Sequence, residues 1–349
     1  MNFAHLHVHT EYSLLDGSNK INEYVARVKE LGMNSAAITD HGVMFGCIDF
    51  YRAAKAAGIK PILGCEVYVA PGSRFDREVG QAEDRYYHLV LLAENNRGYE
   101  NLMKIVSKAF VDGFYYKPRV DMELLQEYHE GIIALSACLA GEVAKNITRG
   151  MYEEAKSAAL RYEEIFGKGN FFLELQDHGI PQQQRVNQQL LRMSQETGIA
   201  LVATNDVHYT YDTDAEAHDI LLCVQTRKLL SDENRMRYEG GQYYVKSPEE
   251  MAELFPYIPE ALENTQKIAD RCEVEIEFGV TKLPKFDVPA PYTSWEYLNK
   301  LCYDGLKERY SGDLTELEQR LEYELGVIKT MGYGLFLNCM GFYSICQGS

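Results

Sequence analysis

In the stretch HLHVHT, imidazoles recur at every second position: His5, His7 and His9. Alternate side chains of an extended chain share a face, so the three rings should form a row spaced by about 7 Å. Neutral imidazole is the commonest metal ligand, yet a solvated edge strand would read the same way, so other metal-type residues must decide. They recur at the ends of further apolar runs. The first run is followed by Asp16, SAAITDH closes on Asp40 and His41, PILGCEVYVA carries Glu66, YYHLVLLAE carries His88, GIIALSA leads into Cys138, and ALVATNDVH closes on Asp206 and His208. Borderline ions such as Zn²⁺ or Mn²⁺ accept N, O and S ligands, and a bridging carboxylate holds two cations about 3.5–4 Å apart. Facing a phosphate ester, such a cluster neutralises non-bridging oxygens, draws a nucleophile from water and stabilises the leaving oxygen, so the chemistry indicated is hydrolytic phosphoester cleavage. Each piece alone has an ordinary explanation: TDH can cap a helix, Glu66 can pair in a core, and Cys138 can be a small buried hydrophobe. Agreement across many runs carries the reading.

Positioning these groups requires a common frame. Seven β-rich runs (FAHLHVH, SAAITDH, PILGCEVYVA, YYHLVLLAE, GIIALSA, FFLELQ, ALVATNDVH) alternate with stretches of helical spacing such as INEYVARVKELG, GCIDFYRAAKAAG, YEEAKSAALRYEEIFG and PQQQRVNQQLLRMSQETG. That alternation predicts βα units around a parallel sheet, and seven units suit a closed βα barrel, preferred here to an open doubly wound sheet. In a parallel barrel the strand ends meet on one rim, which would gather the dispersed ligands. After Tyr209 the pattern turns to helices and polar loops, LPKFDVPAPYTS reads as a linker, and a boundary is expected near residue 280. WEYLNKLCYDGLKERY and TELEQRLEYELGVIKTMGY then begin a second, helical unit too short to complete a core.

Composition narrows the function classes. The net charge of −17 repels polyanions, so unaided nucleic-acid binding should be weak unless divalent cations or basic neighbours supply attraction. Eight cysteines are scattered without a C-x-x-C pair, which suits reduced thiols. No secretory or membrane-spanning segment is visible, so a cytoplasmic protein with no membrane partner is expected.

Two stretches read two ways. ELQDHGIP sets Glu174, Asp177 and His178 after the sixth run, either behind the ligands or as turn residues. GFYYKPRVD offers Tyr115, Lys117 and Arg119, an aromatic and basic patch able to track a DNA strand, although a solvated loop is the plainer reading.

Taken together, HLHVHTEYSLLDG, AAITDHG, GCEVYV, HLVLLAEN, LSACLAGEV, ELQDHGIP and ATNDVHY resemble the PHP (polymerase and histidinol phosphatase) domain of the bacterial DNA polymerase III alpha-subunit family. FYYKPRVD and MAELFPYIPEALENTQKIADRCEVEIEFG are similar to the polymerase branch in particular. The resemblance implies a distorted seven-stranded βα barrel with a C-terminal extension over residues 1–280 and, over 281–349, a linker and the incomplete start of the palm and thumb region. It implies three divalent ions, Zn²⁺ or Mn²⁺ with Fe²⁺ as a further choice. His7, His9, Glu66 and Asp206 would surround the first, Glu66, His88 and Cys138 the second, and Asp16, His41 and His208 the third. Glu66 would bridge, with Asp206 and His208 beside it as catalytic residues, and with Asp40, His178, Lys117 and Arg119 as supporting or substrate-facing groups. The activity implied is metal-dependent 3′ to 5′ exonuclease proofreading during DNA replication. The partners implied are a primer-template 3′ end and replisome subunits such as the sliding clamp, met through regions outside this chain. A stand-alone phosphomonoesterase of the histidinol-phosphatase type and a non-catalytic, metal-stabilised scaffold are the competing readings. Residues 280–349 show neither an Asp-x-Asp pair nor a Gly-Arg-Gly-Ser stretch, so this chain alone is not expected to polymerise DNA. Finally, GLFLNCMGFYSICQGS departs from the family's GYFLIVWDFI-x-YAK; plausible codons shifted by one base restore it, so residues from about Leu335 are expected to be a frameshifted tail.

Overall fold

The computed structural model describes residues 2–77, 84–280 and 287–331. The stretch from Leu335 lies outside the described residues, as do positions 281–286 of the linker. The chain divides into two compact units, Met1–Glu275 and Ile276–Ser349. In the second, the helices Ser294–Arg309 and Thr315–Thr330 bury Leu298 and Leu325 against each other, with Trp295, Leu301 and Ile328 packed alongside.

The first unit is built on one curved sheet: β1 (Ser35–Ile38), β2 (Lys60–Val69), β3 (Tyr87–Ala93), β4 (Phe114–Tyr115), β5 (Lys117–Val120), β6 (Ile132–Leu135), β7 (Phe171–Leu175) and β8 (Leu201–Ala203). The order is β4-β5-β2-β3-β6-β7-β8, with β1 also on β2. Helices follow most strands, as the apolar spacing predicts. Cys47–Ala57 and Pro181–Thr197 both end on left-handed glycines, Gly58 and Gly198, where any Cβ would be strained.

The first run, FAHLHVH, does not form a regular strand, yet it closes the ring. On one side His9 N–H donates to the Val207 carbonyl at 2.7 Å and Val207 N–H to that of His7 at 3.0 Å. On the other, Ala37 N–H donates to the His5 carbonyl at 3.0 Å and Thr39 N–H to that of Val8 at 2.9 Å. The ladder is irregular because Val8 N–H turns to the Thr39 hydroxyl at 2.8 Å, so the segment bulges where His7 and His9 leave it. The staves of the barrel are therefore this segment, β1, β2, β3, β6, β7 and β8, the same seven runs that alternate in the sequence.

Within the ring of staves, the expectation of a parallel sheet is corrected at one strand. β3 runs antiparallel to both β2 and β6, whereas β1/β2, β6/β7 and β7/β8 are parallel. A parallel return needs a crossover of a dozen or more residues, usually helical; among the described residues between β2 and β3 there is no helix, and Asn96–Val111 follows β3. The reversal matters for the site, because it places His88, at the start of β3, on the rim where the other strands end. The opposite end is floored by the helix Pro259–Arg271, whose Ile268 and Ala269 join the core of Leu6, Ile62, Val90, Ile133 and Val202.

The GFYYKPRVD stretch is not a loop. It forms the β4–β5 hairpin, turning at Tyr116 (φ 62°), and β5 extends the sheet beside β2. Arg119 is fully buried, and its guanidinium donates to the carbonyls of Gly113 (3.4 Å), Arg74 (3.2 Å) and Asp76 (2.5 Å). A substrate-facing role for Arg119 is thereby corrected: the side chain ties a hairpin to a loop. No helix among the described residues is long and apolar enough to cross a membrane.

Candidate metal centre

The nine residues that the resemblance assigns to the three ions converge at one rim. Glu66, completely buried on β2, is the hub: Oε1 lies 2.9 Å from His88 Nδ1 and 3.3 Å from His7 Nε2, while Oε2 lies 2.5 Å from His41 Nδ1 and 3.9 Å from His9 Nε2. Asp206 Oδ1 sits 3.1 Å from His9 Nε2 and 3.3 Å from His7 Nε2. Asp16 Oδ2 is 3.2 Å from His41 Nε2, and its Oδ1 is 3.9 Å from His208 Nε2. Cys138 Sγ stands 3.7 Å from His88 Nδ1. Three overlapping trios bring their ligand atoms close enough for a common ion: His7, His9 and Glu66; His9, His41 and His208; His41, Glu66 and His88.

Backbone strain helps to aim these groups. Asp206 and Ala137, the residue before Cys138, both adopt positive φ (43° and 63°), a conformation that non-glycine residues hold only when their surroundings impose it. Around Asp206 the clamp is Asn205, whose amide donates to the carbonyls of Gln242 and Tyr244, each at 2.8 Å, and whose own carbonyl meets His178 Nε2 at 2.9 Å.

A second ring of groups fixes the imidazoles. His7 Nδ1 is 2.7 Å from Glu174 Oε1, His208 Nδ1 is 2.7 Å from the Asp206 carbonyl, and His9 Nδ1 faces Ser13 Oγ at 3.3 Å. With Nδ1–H engaged in each case, the Nε2 lone pair points into the cluster, the tautomer a cation needs. Asp40 supports this arrangement from below, accepting from Thr10 N–H (2.6 Å) and Ser13 O–H (2.7 Å). Four buried atoms facing one another, His7 Nε2, His9 Nε2, His41 Nε2 and Asp206 Oδ1, make no hydrogen bond within the protein. Unpaired buried polar atoms are costly, and a shared cation is the partner this donor set suits.

The electrostatics agree. Burial opposes the charge on Glu66, yet the His88 and His41 rings, the hydrogen bond from His41 and the close approach of the His7 ring hold its carboxyl well below the ordinary carboxylate range. Burial is likewise overcome at Asp206 by His7 and His208, and at Asp16 by His41 and His208. His41, caught between Glu66 and Asp16, is raised to about 10 against the pull of burial.

Some residues stand apart. His5 belongs to the row only in sequence: its Nε2 lies 2.8 Å from the Lys246 carbonyl, outside the cluster. His178 stacks on Tyr243 at 3.7 Å and bonds through both ring nitrogens, Nδ1 being 2.8 Å from Gln183 Nε2, so it braces the Asp206 turn. Lys117 lies one ring away from the cluster, its Nζ 5.2 Å from the Tyr68 ring, which in turn lies 5.3 Å from the His88 ring. Sequence reasoning misses His218, Tyr238 and Tyr243, which come from the segment after the barrel. His218 Nε2 is 2.6 Å from the Asp16 carbonyl, and Tyr238 reaches both Asp16 and His208. Among 25 tyrosines no spacing signal marks these two.

With this geometry in view, comparison with known proteins is decisive. The family model described as PHP domain matches residues 5–178. DNA polymerase III subunit alpha of Treponema pallidum is 47% identical over 339 residues, covering 97% of this chain and 29% of that protein. Its counterpart in Thermus aquaticus is 43% identical over 325 residues, covering 90% of this chain and 27% of that protein. The chain belongs to the PHP-domain family, in the DNA polymerase III alpha-subunit branch. It spans about 29% of the length of the first of these relatives. Among solved structures, an amidohydrolase from Chromobacterium violaceum is 14% identical, with a TM-score of 0.40 over 60% of this chain and 88% of that one.

The buried histidines of this PHP domain give it a defined acid sensitivity. Burial lowers His5, His178 and His218 from 6.5 to about 4. Protons therefore bind the unfolded chain first, and the stability these neutral rings contribute is full above pH 6.5 and lost as pH falls towards 4. The metal-free protein is expected to lose several kcal/mol across that interval, since each tenfold difference in proton affinity between the folded and unfolded chain is worth about 1.4 kcal/mol. Urea melts at pH 7.0, 5.5 and 4.5 check this; a flat midpoint would refute it.

Proposed function

We propose that this PHP domain is a three-ion phosphoesterase that removes nucleotides from a DNA 3′ end, a proofreading exonuclease within a replicative polymerase subunit. The observation that carries the proposal is the set of orphaned buried atoms around Glu66, turned inward by outer hydrogen bonds and suited to cations. His7, His9, Glu66 and Asp206 would hold the first ion, Glu66, His88 and Cys138 the second, and Asp16, His41 and His208 the third. Zn²⁺, Mn²⁺ and Fe²⁺ all match these donors. When bound, the ions supply Lewis-acid polarisation of the phosphate and activation of water. The protein's share is positioning. Glu66 would be shared by the first two ions, Asp206 and His208 would present their ligand atoms from the strained turn, and Glu174, Ser13 and Asp40 keep the imidazoles in the ligating tautomer. Lys117, one ring removed from His88, suits contact with the phosphate backbone of the strand.

Because the chain carries −17, attraction for a polyanion has to come largely from the ions themselves. The primer-template end and the replisome subunits, including the sliding clamp, would be met as part of the longer polymerase. Residues beyond about 280 suit the start of its palm region.

The test is direct. The full chain loaded with Mn²⁺ or Zn²⁺ should shorten a labelled primer from its 3′ end, and Asp206→Asn should abolish this with the melting temperature of the metal-free protein little changed. Turnover of a small phosphomonoester with an intact primer would instead favour the histidinol-phosphatase type. Ion binding without any cleavage would favour a scaffold.

A further inference from the structure

Tyr238 lies just before the turn Glu239–Gly241, outside the barrel, yet its hydroxyl enters the candidate metal centre. It stands 3.0 Å from His208 Nε2 and 3.3 Å from Asp16 Oδ1. His208 Nδ1–H is already committed to the Asp206 carbonyl at 2.7 Å, so Nε2 is an acceptor and the phenol must be the donor. The hydroxyl has a single proton and two neighbours, both of them atoms that the proposed function assigns to the third ion. An ion taking the one lone pair of His208 Nε2 would therefore deprive Tyr238 of the shorter of its two hydrogen bonds, leaving Asp16 as its remaining acceptor.

We infer that Tyr238 is a positioning residue that competes with the third cation: it holds the His208 ring and the Asp16 carboxylate in place and weakens that ion's binding by the worth of its hydrogen bond. This rests on the reading of Asp16, His41 and His208 as a cation site. The ring itself is fixed by packing. It lies 4.5 Å from the His208 ring, 4.6 Å from Tyr243 and 5.1 Å from His218, centroid to centroid, so removing the hydroxyl alone leaves the contacts that shape the pocket. The chain that carries it is anchored as well, since Arg235 grips Asp219 with two bonds of 2.5 and 2.6 Å. The competition then needs only a change of hydrogen-bond partner, with no movement of the loop.

A side-chain hydrogen bond of this kind is worth about 1 kcal/mol net, or about fivefold in an equilibrium constant. Calorimetric titration of the metal-free full chain with Mn²⁺ supplies the readout, on the wild type, Tyr238→Phe, Asp16→Asn and the double variant. Asp16→Asn should bind one ion fewer. Tyr238→Phe should bind the same number as wild type, with the ion sensitive to Asp16 about fivefold tighter, and should change nothing in the Asp16→Asn background. An unchanged or weakened dissociation constant in Tyr238→Phe overturns the competition, and a weakened one would make the phenol a supporter of the ion. Equal ion counts in wild type and Asp16→Asn would defeat the cation-site reading itself, which keeps the two failures apart. A melt of metal-free Tyr238→Phe within a few degrees of wild type certifies the fold.

Discussion

Glu66→Gln should leave the protein with at least two ions fewer and cut 3′-nucleotide release by about a thousandfold or more, on the scale of losing a principal electrostatic element of an active site. The substitution keeps the shape of the side chain and removes only the charge and one acceptor oxygen. Glu66 Oε1 faces His7 and His88 while Oε2 faces His9 and His41, so a single carboxylate spans two halves of the cluster. An amide places an N–H₂ group against one of those halves, where it can donate but cannot ligate. Metal analysis by mass spectrometry together with a primer assay decides the matter. Retention of the wild-type ion count would mean that Glu66 is not the bridge.

The second large effect is expected far from any chemistry. Arg119→Ala removes a completely buried guanidinium and leaves the carbonyls of Gly113, Arg74 and Asp76 without their donor. Losing buried, charge-assisted hydrogen bonds and opening a cavity should cost about 3 kcal/mol or more. The result should be a markedly lower denaturation midpoint, with the ion count unchanged. A variant that melts like wild type but binds a DNA 3′ end more weakly would restore the substrate-facing role the sequence suggests for Arg119.

These two residues also mark what is legible in the sequence and what is not. Glu66 is legible because its type is unusual inside an apolar run, and because other runs end in complementary types: an enclosed carboxylate needs partners, and His7, His41 and His88 are visible candidates. The seven staves are legible from alternation for the same reason, since period and composition are local properties. Arg119 misleads because a basic residue beside aromatics reads as surface. Its burial depends on three carbonyls, and backbone groups leave no trace in residue types. The direction of β3 is hidden for a related cause, as a strand carries no mark of its polarity. Tyr238 and His218 are invisible because they reach the rim from a segment with no periodic relation to the barrel.

The stave that completes the ring has a temporal consequence. Residues 4–9 find β1 within about thirty positions, but their other neighbour is Val207. A ribosome adding roughly 5–20 residues per second needs on the order of ten seconds or more to pass from the first partner to the second. During nascent synthesis the segment bearing His7 and His9 therefore waits with one flank unpaired, and the pocket they share with Asp206 and His208 can assemble only after that delay.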